Sequence, residues 1–306
     1  MNVREWALPV YTIMIQIATG ILIMLWIIRS LNSSKFARDD MDQMVGNPIT
    51  IVLLTIIIAI IGAHFHLSKP HLSILAVSNF RSSWLSREIV FTILFSIAVG
   101  SLWTLRRIES KHQSLETFIG WFSIVTGSAS IYCMARIYLL PTQVAWNSPF
   151  TIAYYVVTTL LLGAMAMAAL LIMDLKLAEV RKLDIPKTRG TLIQKSLIWL
   201  AIIAVAMAIM EIILNFYQIS YLRSGDETAK LSLSLLIGLY RPLLVMRFGM
   251  MSVGVGWYFF SATQLIRKKK NILDLMTPVY CSCLLVMIAE ILGRFIFYAT
   301  HVRIGL

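Results

Sequence analysis

Eight apolar runs, at about 7–28, 48–67, 88–105, 116–138, 150–173, 196–217, 241–266 and 275–300, take up most of the 306 residues. A helix needs ~20 consecutive apolar residues to cross the hydrocarbon core of a bilayer, and these runs have that length. Charged residues make up 14% of the chain, against roughly 25% in an ordinary soluble domain. Hydrophobic residues make up 58%, more than a soluble core could hide, because most of that surface would face water. A soluble enzyme, a disordered chain and a secreted disulfide scaffold are therefore excluded. The sequence predicts an all-α, multi-pass bundle of eight transmembrane helices forming a single domain over 1–306.

The first run exceeds the ~7–15 residue core of a cleavable signal peptide and has no A-x-A-like site after it, so it reads as a retained span. Pro9, Pro48, Pro70, Pro141, Pro149, Pro186, Pro242 and Pro278 fall in loops or near run ends, where a missing N–H costs least.

Lys and Arg number 27 against 15 Asp and Glu, a formal charge of +12. The cations lie mostly between the apolar runs, which points to membrane topology and not to nucleic acid. With the N-terminus outside, the inner loops hold 16 of them and the outer segments 8. That bias predicts both termini outside.

Cys133, Cys281 and Cys283 lie inside apolar runs, and there is neither a CxxC nor a Cys/His spacing suited to a metal. No zinc site or iron–sulfur cluster is expected in this chain. A buried haem is not expected either. His64 and His66 are two residues apart and face nearly opposite ways, His71 and His112 fall in loops, and His301 ends a span.

The polar residues within the spans fall into stripes. Glu290, Arg294, Tyr298 and His301 are spaced to share one helical face, and so are Glu211, Asn215 and Gln218, and Ser128, Tyr132 and Arg136. Arg247 lies one to two turns into the seventh run. A charge at the centre of a bilayer costs about 2.5–3.5 kcal/mol on insertion scales, so these side chains should meet one another or a wet cavity. Three stripes rising toward one face predict a polar pocket opening outward, with Glu290 and Arg294 as a mutually neutralising pair. Charges that simply hold helices together, or heads that reach the interface, are the alternative. Ser86 reads as a possible N-cap, which would put Glu88 in the first turn, where a carboxylate favours the helix dipole.

The most distinctive stretch is His64-Phe-His66-Leu-Ser-Lys-Pro70 followed by Asn79-Phe-Arg-Ser-Ser-Trp-Leu-Ser-Arg-Glu88-Ile89. With Arg4-Glu-Trp-Ala-Leu8 and Glu290-Ile-Leu-Gly-Arg-Phe-Ile-Phe-Tyr298, it resembles the membrane-anchor subunit of dimethyl sulfoxide reductase over essentially the whole chain. His66-Leu-Ser-Lys-Pro70 is similar to the family's histidine–leucine–glycine–x–proline, with Ser68 for the glycine. Leu85-Ser-Arg-Glu88 and Glu290-Ile-Leu-Gly-Arg294 are similar to its leucine–serine–x–glutamate and glutamate–x–x–glycine–arginine. Ala7 departs from the family's opening proline.

The resemblance implies an eight-span subunit of the cytoplasmic (inner) membrane with both ends periplasmic, serving anaerobic respiration. It would oxidise menaquinol and pass electrons to a ferredoxin-like iron–sulfur subunit and then to a molybdenum–pterin catalytic subunit. The family's quinol-site histidine and glutamate correspond to His66 and Glu88, the expected catalytic pair. Arg136, Glu211, Arg247, Glu290 and Arg294 are the further candidates for contact with the quinol. The outer loops, with Lys69, Arg81, Arg87 and Arg223, are expected to dock the iron–sulfur partner. A secondary transporter using the same pocket, and a purely structural tether, remain the alternative readings.

Overall fold

The computed structural model describes residues 3–32, 38–66, 77–108, 113–183, 186–268 and 271–302, with backbone alone for 3–7, 38–45, 65–66 and 268. Among these residues there are helices and no strands. The helices are α1 (Val3–Asn32), α2 (Arg38–His66), α3 (Trp84–Arg107), α4 (Gln113–Ile137), α5 (Thr151–Val180), α6 (Lys187–Ser224), α7 (Glu227–Ser234), α8 (Arg241–Lys268) and α9 (Met276–Ala299). All but the short α7 are long and apolar enough to cross a membrane, one for each apolar run. The chain is therefore a multi-pass membrane protein. A π-turn at Leu235–Leu239 links α7 to α8, and a 3-10 turn at Ile272–Leu275 leads into α9.

Eight alternating spans bring the start of α1 and the end of α9 to one end of the bundle, together with the 77–83, 138–150 and 225–240 connections. We call this the terminus end.

Two starts differ from the sequence reading. Ser83, not Ser86, caps α3: its backbone is extended and its hydroxyl accepts the Ser86 N–H at 3.3 Å. The helix thus begins three residues earlier, which carries Glu88 past the first turn and into the interior. Pro48 lies well inside α2, because that helix begins in the polar segment ahead of the apolar run.

α1 and α5 form the centre. Inside the bundle lie 78% of the apolar window of α1 and 72% of that of α5, against 28% for α8 and for α9. α1 packs on α2, α4, α5 and α9, while α3 leans on α2 and α4, and α8 on α6 and α9. Lipid is as apolar as leucine, so close packing must hold such helices together, and small residues permit it. The α1–α5 crossing shows this at Gly20 and Gly163. A Cβ on Gly20 would stand 2.3 Å from the Thr159 carbonyl oxygen, and one on Gly163 would stand 2.4 Å from Gly20 C.

At the opposite end, ion pairs join helix ends. Glu116 of α4 takes both Arg29 of α1, at 2.7 Å, and Arg106 of α3. Asp174 of α5 takes Arg189 of α6 at 2.5 Å and accepts a hydrogen bond from Asn47 of α2 at 2.8 Å.

Candidate functional site: a buried charge cluster and a lone carboxylate

Two of the three polar stripes converge. Glu211 on α6 and Glu290 on α9 are buried side by side, and Arg247 reaches both from α8. Its Nη2 hydrogen-bonds Glu211 Oε1 and lies 3.6 Å from Glu290 Oε2. The Thr158 hydroxyl of α5 sits between the carboxylates, 3.3 Å from Glu290 and 3.5 Å from Glu211. One oxygen of each carboxylate, Glu211 Oε2 and Glu290 Oε1, is buried without a protein hydrogen-bond partner.

Arg294 does not pair with Glu290, contrary to the expectation from their four-residue spacing. It crosses to α1, where its Nη2 donates to Gln16 Oε1 at 2.9 Å, and it lies over the Tyr155 ring at 3.8 Å from the centroid. Gln16 in turn donates to the Tyr155 carbonyl at 2.9 Å and to Thr159 at 3.2 Å. The physical reason is packing. α8 lies between α6 and α9 and delivers Arg247 to both carboxylates, leaving Arg294 to face α1 and α5. Two carboxylates and two guanidiniums form a formally neutral set, as burial demands.

Next to this cluster is a cavity of about 80 Å³ rimmed by Asn215, Gln218, Tyr154 and Thr300. That is well below the ~300–1,000 Å³ of typical small-molecule sites. Leu222, Leu236 and Leu244 close it from the side of the α7 connection.

The third stripe goes elsewhere. Ser128 and Tyr132 face outward from α4, and the Arg136 guanidinium lies 4.7 Å over Trp84, whose other neighbour is Arg87 at 4.2 Å. The buried seam of α4 runs instead through Ser123, Thr126 and Ser130. Seryl and threonyl side chains can hide on their own helix, as Ser123 and Thr126 do by donating to Ile119 and Phe122 carbonyls. Polarity alone therefore did not identify the buried face.

Glu88 forms a second polar locus. It is 5% exposed and takes part in none of the ion pairs found among the described residues. Tyr11 of α1 lies beside it, with its phenol on the Thr92 hydroxyl. From there hydroxyls continue inward, Tyr11 to Thr92 at 3.0 Å and Thr92 to Ser130 at 2.8 Å. His66 is the last residue of α2 at this same end, and its side chain lies outside the described residues. Lys69 lies outside them too. Arg87, expected in partner docking, donates to the Phe80 and Arg81 carbonyls of its own loop at 3.0 and 2.6 Å.

Between the two loci stands an aromatic group of which the sequence reading named only Tyr298 and His301. Tyr138 and Tyr298 share a hydrogen bond of 2.7 Å, and Trp146 donates to the Phe297 carbonyl at 2.7 Å. Trp146 stacks on His301 at 4.9 Å, and Tyr138 stacks on Tyr155 at 6.1 Å. The available signal was the 139–149 connection itself, which carries no Lys or Arg and folds back onto the bundle. Among the described residues, no group of three or more His, Cys, Asp or Glu is placed to hold a metal ion.

The sequence matches, over residues 1–300, the family described as DMSO reductase anchor subunit (DmsC). It is 21% identical over 308 residues to a component of the anaerobic dimethyl sulfoxide reductase of Haemophilus influenzae, covering 100% of this chain and 99% of that one. It is also 27% identical over 147 residues to a subunit of the sulfite dehydrogenase of Allochromatium vinosum, covering 44% of this chain and 45% of that one. A family match over almost the whole length, eight spanning helices, and motif residues gathered at one end of the bundle lead to one conclusion: the chain belongs to the DMSO reductase anchor subunit family.

Proposed function

We propose that this chain oxidises menaquinol at the terminus end of the bundle, placed on the periplasmic face of the inner membrane. Electrons leave to a ferredoxin-like iron–sulfur subunit and a molybdenum–pterin catalytic subunit docked on that face. The observation that carries the reading is Glu88, a carboxyl buried beside Tyr11 with no cation paired to it among the described residues. A structural counter-ion would be paired, as Glu211, Glu290, Glu116 and Asp174 all are. A carboxyl left alone at one end of a bundle is suited instead to exchanging protons.

Oxidation of a quinol to a quinone releases two electrons and two protons. His66 takes the proton from a quinol hydroxyl, since imidazole, with an unperturbed pKa of about 6.5, works as a base near neutral pH. Glu88, beside Tyr11, relays it outward. Glu211, Arg247, Glu290 and Arg294 act as supports: the cavity beside the cluster is smaller than a typical small-molecule site, and its guanidiniums are occupied by protein partners, whereas Arg136, over Trp84, orients a quinol oxygen. The supports fix α1, α5, α6, α8 and α9 around the aromatic group that borders the site.

The test is His66→Leu in the assembled complex, with quinol-driven and dye-driven turnover compared. Loss of the quinol-driven rate alone is the expected result. Survival of both rates would remove His66 from the site.

A further inference from the structure

At the end of the bundle opposite the termini, a cavity of about 330 Å³ opens between α2 and α3 beside the last turn of α5. Its polar walls are Asn47, Thr50, Trp103, Arg106, Arg107 and Arg181. Three guanidiniums from two helices border one void, and among the described residues no carboxylate lines it.

The nearby acids are already engaged behind the walls. Among the described residues, Asp174 is held by Arg189 and Asn47, and Glu116 is shared by Arg106 and Arg29. Each arginine alone is accounted for by its place at a helix C-terminus, where a cation favours the dipole. That does not account for their convergence. Like charges around one void repel, and an anion between them relieves this.

The depth and surroundings narrow the choice of anion. Trp103, whose indole N–H donates to Thr50 at 3.2 Å, lies one turn from the end of its span, the level of the interfacial aromatic belt. Arg107 lies 5.1 Å from the Trp103 ring, which holds its guanidinium at the rim. Below the cavity, α2 and α3 turn exposed Leu54, Ile57, Ile58, Ile93 and Ile97 outward, a surface suited to acyl chains. Gly46 adds no side chain where the wall opens.

We infer that this cavity binds the phosphate of an anionic phospholipid, gripped by Arg106, Arg107 and Arg181 with its chains along α2 and α3. Guanidinium forks match phosphate oxygens, and basic pockets between spans are suited to lipid headgroups.

The test uses the intact complex, delipidated by detergent exchange and titrated with micelles containing phosphatidylglycerol, with phosphatidylcholine, or with inorganic phosphate alone. Retained phospholipid is counted by phosphorus content and native mass spectrometry. Phosphatidylglycerol should be retained more tightly than phosphatidylcholine, and Arg107→Gln with Arg181→Gln should weaken it about tenfold or more for each guanidinium lost. Arg107→Lys with Arg181→Lys should keep much of the binding, and the thermal unfolding and yield of the assembled complex should be unchanged in all variants, showing that this chain is folded in each. Equal retention of both lipids, or no difference between wild type and the glutamine variant, would overturn the inference. Inorganic phosphate displacing the lipid at millimolar concentration, with the same loss in the glutamine variant, would assign the arginines to free phosphate and remove the lipid.

Discussion

Gly293 stands directly against Arg247. A Cβ at residue 293 would lie 2.5 Å from Arg247 Cζ, so the hydrogen at that position makes room for the guanidinium that reaches Glu211 and Glu290. The glycine of the Glu290-Ile-Leu-Gly-Arg294 motif thus serves an arginine on a neighbouring helix. Gly293→Ala should destabilise the purified complex by about 1–3 kcal/mol, as overpacking of a close-packed site does. Thermal unfolding checks this, with Gly256→Ala, where a Cβ meets open space, as the unaffected control.

Removing Arg247 leaves two carboxylates facing each other without their cation. Arg247→Leu should cost about 3–5 kcal/mol and lower the amount of assembled complex. Adding Glu211→Gln and Glu290→Gln to it should recover much of that loss. A double-mutant cycle on assembled yield measures the coupling. Additive effects would mean that the three side chains act separately.

Glu88→Gln keeps the shape of the side chain and removes the proton-exchanging group. Assembly should be intact and dye-driven turnover unchanged, while quinol-driven turnover falls about 10²-fold or more, the usual range for loss of an acid–base group. Tyr11→Phe should give a smaller drop in the same direction. Steady-state rates with a water-soluble menaquinol analogue provide the measurement.

Reporter fusions fix the orientation. A fusion following Lys182 should be active only as a cytoplasmic reporter, and a fusion following His301 only as a periplasmic one. The reverse pattern would place Glu88 and the charge cluster on the cytoplasmic face.

The spans were legible because each apolar run is long enough to cross a bilayer and polar segments separate them. The stripes of α6 and α9 were legible for a related reason: residues on one helical face must share one environment, and glutamates there require partners. The partner itself was not. The spacing of Glu290 and Arg294 shows that they lie near each other on one helix, but it carries no information about α8, which delivers Arg247 to the same place. Glu88 was misread by one cap. A serine at 83 or at 86 reads alike locally, and only the extended backbone at Ser83 decides between them. The α4 stripe failed because Ser128 and Tyr132 tolerate an outward position, while Ser130 turns in to meet Thr92.

The crossing of α1 and α5 at Gly20 and Gly163 also bears on how the protein is made. α1 is synthesised before α5, yet among the described residues its polar Gln16 donates to Tyr155 and Thr159, made some 139 and 143 residues later. Its amide oxygen takes a donor from Arg294 of α9, so the polar contacts of Gln16 are complete only when α5 and α9 are both in place. Insertion and closure are then separate events, as in two-stage assembly of membrane helices. The glycine pair lets α5 close against α1, and α9 completes the enclosure.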